Sequence, residues 1–213
     1  MKRTVLILAA ALLWVAPAGA DEVVRAFKQQ IPTGSAEKIY LDFPVGEVRV
    51  EGWSESRVDL DVKIECNRAT ERCREAAKGL RLVYDNSGER LKVEIKNWPK
   101  MSGGRGMNVV AHVRVPRDLA LTANLGVGEL EVSGIQGDLV ADLGVGEVSV
   151  TLPRESIGSV SLDTGVGDAN LVVDGRRYQS SGLVAKEVRW TKGTGRAGVT
   201  VDCGVGEIDV RLE

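Results

Sequence analysis

Five acidic residues follow the same glycine along this chain: Glu47, Glu129, Glu147, Asp168 and Glu207. A second set, Asp42, Asn124, Asp142, Asp163 and Asp202, precedes them at a constant spacing. If the segments carrying them stack, two rows of side-chain oxygens result, a donor set suited to a hard cation such as calcium. Glu129, Glu147, Asp168 and Glu207 are the weak candidates for such a site. The dense glycine and aspartate spacing of calcium-binding solenoid repeats is absent, however. Like charges about 5 Å apart repel by only about 1 kcal/mol in water, so the row needs no metal to exist. We read it as a solvated corner row that keeps the surface soluble and discourages edge pairing, and assign no metal and no cofactor.

The other reactive residue types are sparse. Cys66 and Cys73 lie seven residues apart, and in an oxidising compartment a local disulfide is favoured over two reduced thiols. Cys203 stands where other copies of a repeated phrase carry leucine, which makes it a small core residue with a suppressed thiolate. Gly193-Thr-Gly-Arg-Ala-Gly198 matches the dinucleotide fingerprint by letter, but Val199-Thr-Val-Asp-Cys203 after it alternates as a strand where a helix is required. It reads as a glycine-rich corner. His112 is the sole histidine, in the strand pattern Val109 to Val115, without a cysteine or carboxylate cluster beside it in sequence. No serine occupies a Gly-x-Ser-x-Gly elbow. Trp53, Trp98 and Trp190 could stack on sugars, yet suit strand edges and caps better. No catalytic set emerges, and we expect no enzyme.

The elements that position these residues are written in one phrase occurring five times: Leu41-Asp-Phe-Pro-Val-Gly-Glu-Val-Arg-Val50, Ala123-Asn-Leu-Gly-Val-Gly-Glu-Leu-Glu-Val132, Ala141-Asp-Leu-Gly-Val-Gly-Glu-Val-Ser-Val150, Leu162-Asp-Thr-Gly-Val-Gly-Asp-Ala-Asn-Leu171 and Val201-Asp-Cys-Gly-Val-Gly-Glu-Ile-Asp-Val210. Apolar residues fall on every second position up to Val45, Val127, Val145, Val166 and Val205, which predicts strands with one buried face and those valines turned inward. A glycine directly after each valine marks a corner. The first glycine of the later copies lies at 126, 144, 165 and 204. The last step is close to two ordinary ones, so Gly182 to Trp190 would supply a missing, degenerate turn. Coils of about 20 residues, each hydrogen-bonded to its neighbour, make a parallel β-solenoid. One such coil cannot bury enough apolar surface to offset its own ordering, so stability must be shared along the stack.

Residues 21–110 carry only the first copy and read as irregular coils with a helical cap; 111–213 read as regular coils. In the first part Val58 to Ile64 alternates as a strand, and Arg81 to Ile95 reads as a hairpin turning at Asn86-Ser-Gly88. Between them, residues 67–78 are the one good helix, with Asn67 or Thr70 as cap and Gly79 just past its end.

Met1-Lys-Arg, the apolar run Val5 to Val15, and Ala18-Gly-Ala20 before Asp21 form a secretory signal peptide over residues 1–20. The run is too short to span a bilayer, and no later segment is apolar enough to do so. The expected product is exported, as a periplasmic, surface or secreted protein. With a formal net charge of −2 for the full chain, made more negative by loss of Lys2 and Arg3, nucleic acid is not an expected partner. Few aromatics and many glycines and valines favour stacked strands with tight corners.

The leader, the early Phe43-Pro-Val-Gly-Glu-Val-Arg-Val50 pair, the Val113-Arg-Val-Pro116 step and the repeated Gly-x-Gly-Glu turns together resemble the bacterial putative-adhesin family. That resemblance implies an all-β, right-handed parallel β-solenoid at the cell envelope and carries over no catalytic residues. The helix with its two cysteines departs from the family's plainer N-terminal strands. The function expected is a non-enzymatic envelope adhesin or assembly scaffold whose partner is a cell-envelope protein or polysaccharide. The alternative is a calcium-assisted β-helix that binds or acts on polysaccharide. Because the last copy ends at Val210-Arg-Leu-Glu213, its edge is expected either to self-associate end to end or to be covered by Ser180 to Gly195.

Overall fold

Glycine pairs placed inside otherwise alternating strands produce the defining element of this protein, a long strand bent once in the middle. The computed structural model describes residues 22–67, 70–99, 106–179 and 186–213; the leader expected at residues 1–20 lies outside them. In chain order the strands are β1 (Glu22–Pro32), β2 (Lys38–Trp53) and β3 (Arg57–Cys66), followed by helix α1 (Glu71–Lys78). Then come β4 (Arg81–Ser87), β5 (Arg90–Lys96), β6 (Met107–Pro116), β7 (Ala120–Ser133), β8 (Leu139–Leu152) and β9 (Ile157–Val173). The short β10 (Arg176–Gln179) and β11 (Lys186–Trp190) precede the final β12 (Ala197–Leu212).

The five copies of the phrase are the centres of β2, β7, β8, β9 and β12, and they pair in parallel with every phrase position in register. Leu41 stands beside Ala123, Ala123 beside Ala141, Ala141 beside Val201, and Val201 beside Leu162. Register is this strict because a slip of one residue would turn every buried side chain into water. The inner faces of both arms form one core, with Leu121, Leu139 and Val199 stacked in the first arm and Val132, Val150 and Val210 in the second.

Two expectations from the sequence are corrected here. The stack runs β2, β7, β8, β12, β9, so the last copy in sequence is inserted between the third and fourth. β12 is paired on both sides from Val199 to Leu212, and Leu212 is buried within it. The open terminal edge, and the end-to-end association argued from it, are thereby withdrawn. Among the described residues of the long last step there is no degenerate parallel coil either; of the Gly182 to Trp190 segment expected to supply it, residues 182–185 lie outside those described. The described portions of that step, β10 and β11, fold back antiparallel on the second and first arms of β9 and cover that strand's outer edge. This arrangement is not a coil-after-coil winding: β9 leaves a strand-wide slot beside β8, and β12 fills it.

The second correction concerns the corner. Val127, Val145, Val166 and Val205 were expected inside but are 49%, 46%, 51% and 47% exposed. Between the inward Leu125 and the inward Leu130, all four residues Gly-Val-Gly-Glu lie outside the bend. The reason is the backbone contact there. A Cβ on Gly128, Gly146, Gly206 or Gly167 would sit 1.7–1.9 Å from the carbonyl oxygen of the corresponding glycine in the adjacent strand, and these glycines have φ between +137° and +147°. Backbone lies on backbone at the bend, leaving no inner space for a side chain. Pro44 replaces the first corner glycine in β2 without loss, because on that side of β2 the pairing with β5 ends at Asp42 and the pairing with β6 begins at Glu47. Its missing N–H falls in the gap.

The insertion between the first two copies, together with β1 ahead of the first, builds the other side of the sheet. β6 pairs in parallel with the second arm of β2 and antiparallel with β3, which pairs with the edge strand β1. The sheet is continuous across the 110/111 division, which β6 straddles. The expected hairpin forms as β4 and β5, with Gly88 at φ +70° in the turn.

Helix α1 begins four residues later than the composition suggested, because Thr70 is the cap: its hydroxyl accepts the N–H of Cys73. Gly79 closes the other end, and Arg25 of β1 donates to the carbonyls of Ala77 and Lys78. Cys66 at the end of β3 and Cys73 in the first turn of α1 are bridged, with their Cα atoms 6.3 Å apart. A closed loop this short should contribute about 2.5 kcal/mol. The Cys66→Ser/Cys73→Ser double variant is therefore expected to unfold in urea at lower concentration, and wild type under reductant should match it.

Candidate functional site

At the outside of the bend the parallel register turns each phrase position into a ladder. One ladder reads Glu47, Glu129, Glu147, Glu207, Asp168, and another Asp42, Asn124, Asp142, Asp202, Asp163. Rungs are about 4.8 Å apart, the spacing of neighbouring strands. Between these rows runs a third, of valines: half-buried Val45, then exposed Val127, Val145, Val205 and Val166. A shallow groove of about 500 Å³ lies over the second glycine column, walled by Glu129, Glu147, Glu207 and Asp168.

The electrostatics are those of like charges held in line. Burial, then the Asp163 and Asp142 carboxylates on either side, push the Asp202 carboxyl upward. The Glu207 carboxyl is raised first by Asp209, then by burial and by Glu147 and Asp168. Both shifted groups lie on β12, between the ladder carboxylates of β8 and β9. Two contacts relieve the far end of the glutamate row: Lys186 of β11 pairs with Asp168, and the Asn170 amide donates to Glu207 at 3.4 Å. Glu129, Glu147 and Glu207 have no basic partner among the described residues.

A carboxyl raised in the folded state favours folding below its unfolded value and loses that contribution as pH rises through the folded one. For Glu207 the window opens at its ordinary 4.5 and extends upward. Glu207→Gln should therefore raise Tm at pH 7 by roughly 2 °C and flatten the decline of Tm as pH rises above 4.5, read by circular dichroism melts. An unchanged pH profile would remove the repulsion argument.

Glu129, Glu147, Asp168 and Glu207 are thus brought together in one row, as their spacing predicted. Among the described residues, no three acidic, histidine or cysteine side chains converge as a cation site. Cys203 is buried, in register with Leu143 and Thr164, and burial pushes its thiol up. The Gly193 to Gly198 segment leads directly into β12, with the Gly193 N–H donating to the Gly158 carbonyl, and no helix follows. The tryptophans are engaged. Trp53 donates to the Arg57 carbonyl and lies under the Arg57 and Arg114 guanidinium groups. Trp190 is buried beneath Arg154, and Trp98 packs on the core.

One feature escaped the sequence reading. His112 is exposed on β6 between Asp61 of β3 and Arg49 of β2, beside a polar groove of about 510 Å³. Its charges are largely paired across strands: Arg114 with Asp59 at 2.5 Å, Lys28 with Asp61 at 3.0 Å, and Arg49 with Glu131 at 2.6 Å. These residues are far apart in sequence. The alternations Asp59-x-Asp61 and His112-x-Arg114 were the available signal, but only strand order shows that they are neighbours.

A rack of bent parallel strands with repeated rows on its outer corner is the class of protein that this geometry defines. The chain belongs to the family described as the N-terminal domain of toast_rack, DUF2154, whose model matches residues 21–172. The match ends before β12, the strand that fills the slot. The fold is similar to a 1.95 Å crystal structure of a putative cell adhesion protein from Clostridium sporogenes ATCC 15579, with a TM-score of 0.55. That likeness covers 89% of this chain and 99% of the other at 16% identity, and it is a likeness of fold. No curated protein matches the chain. Among the described residues no helix is long and apolar enough to cross a membrane.

Proposed function

We propose that this chain is a non-enzymatic, exported cell-envelope protein that serves as an adhesion or assembly scaffold, presenting its corner rows to a partner. The observation that carries this reading is the exposed valine row between two rows of acidic and amide side chains on a strictly registered rack. Soluble proteins seldom leave such contiguous apolar surface open without a binding role. The leader-like residues 1–20 and the bridged Cys66–Cys73 pair support export. The designation of the Clostridium sporogenes protein as a putative cell adhesion protein points the same way.

Immobilised protein beginning at Asp21 should retain a component of envelope extract, and Val127→Ser/Val145→Ser/Val205→Ser should lose it. A hydrolase or lyase activity abolished by substituting Glu129, Glu147 or Asp168 would overturn the reading.

A further inference from the structure

We infer that the outer corner is a docking surface for a basic amphipathic helix of a partner protein, seated with its apolar stripe on the valine row and its lysines or arginines on the glutamate row. This rests on the scaffold reading above and adds the chemistry of the partner.

Charge complementarity comes first. Glu129, Glu147 and Glu207 form consecutive rungs beside the groove, without a basic partner among the described residues. The chain itself demonstrates the matching group at the next rung, where Lys186 comes across from β11 to Asp168 and is left only 13% exposed. A row of glutamines would stack without repulsion, whereas the carboxylates repel one another. Carrying charge at a stability cost is the expected signature of a surface kept for binding.

The apolar partner surface is equally defined. Val127, Val145, Val205 and Val166 are each about half exposed and in register on adjacent strands. Four rungs at about 4.8 Å extend roughly 14 Å, the length of about ten helical residues. Side chains recur on one face of a helix about every 5.4 Å, close to the rung spacing. On an extended strand laid along the row they recur about every 6.8 Å, which drifts out of step. A second copy of this chain is disfavoured as occupant because its corresponding row carries the same charge.

The test uses protein beginning at Asp21 and two fluorescent 14-residue probes, a leucine–lysine amphipathic helix and a serine–lysine peptide of equal charge. Anisotropy is measured at 150 mM salt. Wild type should bind the leucine–lysine probe at least tenfold more tightly than the serine–lysine probe. Glu129→Gln/Glu147→Gln/Glu207→Gln and Val127→Ser/Val145→Ser/Val205→Ser should each weaken it at least tenfold. Melting curves check folding, and the glutamine variant should melt higher than wild type.

Equal binding of the two probes, no binding, or binding indifferent to either variant overturns the inference. So does a calorimetric signal from calcium alone that displaces the peptide, which would assign the carboxylates to the metal. If the probe fails while envelope extract is still retained through the valines, only this inference falls; a catalytic activity would instead overturn the scaffold reading beneath it.

Discussion

Gly206→Ala is expected to destabilise the protein by about 4 kcal/mol or more, enough to unfold most marginally stable chains. A Cβ there would lie 1.7 Å from the Gly146 carbonyl oxygen, and the residue sits at φ +147°. Both faults act on backbone in the centre of the stack, where β12 is held by β8 and β9 and cannot shift without breaking two ladders. Gly146 and Gly167 should behave alike, since the same contact recurs at 1.8 and 1.7 Å. Gly175→Ala is the control: φ is +74° but no atom lies within 4 Å of the added carbon, so only the conformational cost of about 1–2 kcal/mol remains. Urea titrations of the two variants distinguish packing from backbone strain. Comparable losses at Gly206 and Gly175 would mean that the glycine column is not set by close approach.

Removing residues 197–213 should abolish cooperative folding altogether. In a coil-after-coil solenoid, loss of the last repeat shortens the stack and leaves the remainder paired. Here the deleted strand is internal, and β8 and β9 each lose a full-length partner. Seven buried side chains go with it, and six of them are larger than alanine: Val199, Val201, Cys203, Ile208, Val210 and Leu212. At roughly 2 kcal/mol each their burial is worth ~12 kcal/mol, as large as the whole stability of an ordinary domain. The expected observation is a truncated protein without a thermal transition. A cooperative melt within a few degrees of full length would show that β12 is dispensable and that β8 and β9 close upon each other.

These two expectations separate what is local from what is not. The alternation through Leu121, Ala123 and Leu125, and through Leu139, Ala141 and Leu143, predicts strands with the correct buried face, because period two is a property of each strand alone. The hairpin at Gly88, the helix ended by Gly79 and the nearness of Cys66 to Cys73 were legible for the same reason. So were the carboxylate ladders, since identical phrases stacked in register bring identical positions together whatever their order.

The valines at the corner were misplaced because alternation carries no information on where a chain leaves one face for another. Whether Val145 points in or out depends on how near Gly146 approaches the Gly128 carbonyl. The order of the stack was likewise hidden. Each phrase matches every other, so any pair can be neighbours by sequence, and spacing suggested the simplest succession. What places β12 between β8 and β9 is the antiparallel return of β10 and β11 onto the outer edge of β9, which leaves the inner edge open for the last strand. By itself, then, the sequence determined the repeating unit, its buried face and the rows it would present. The tertiary structure decided the order of the units and turned the valines outward, because both depend on backbone contacts between segments distant in the chain.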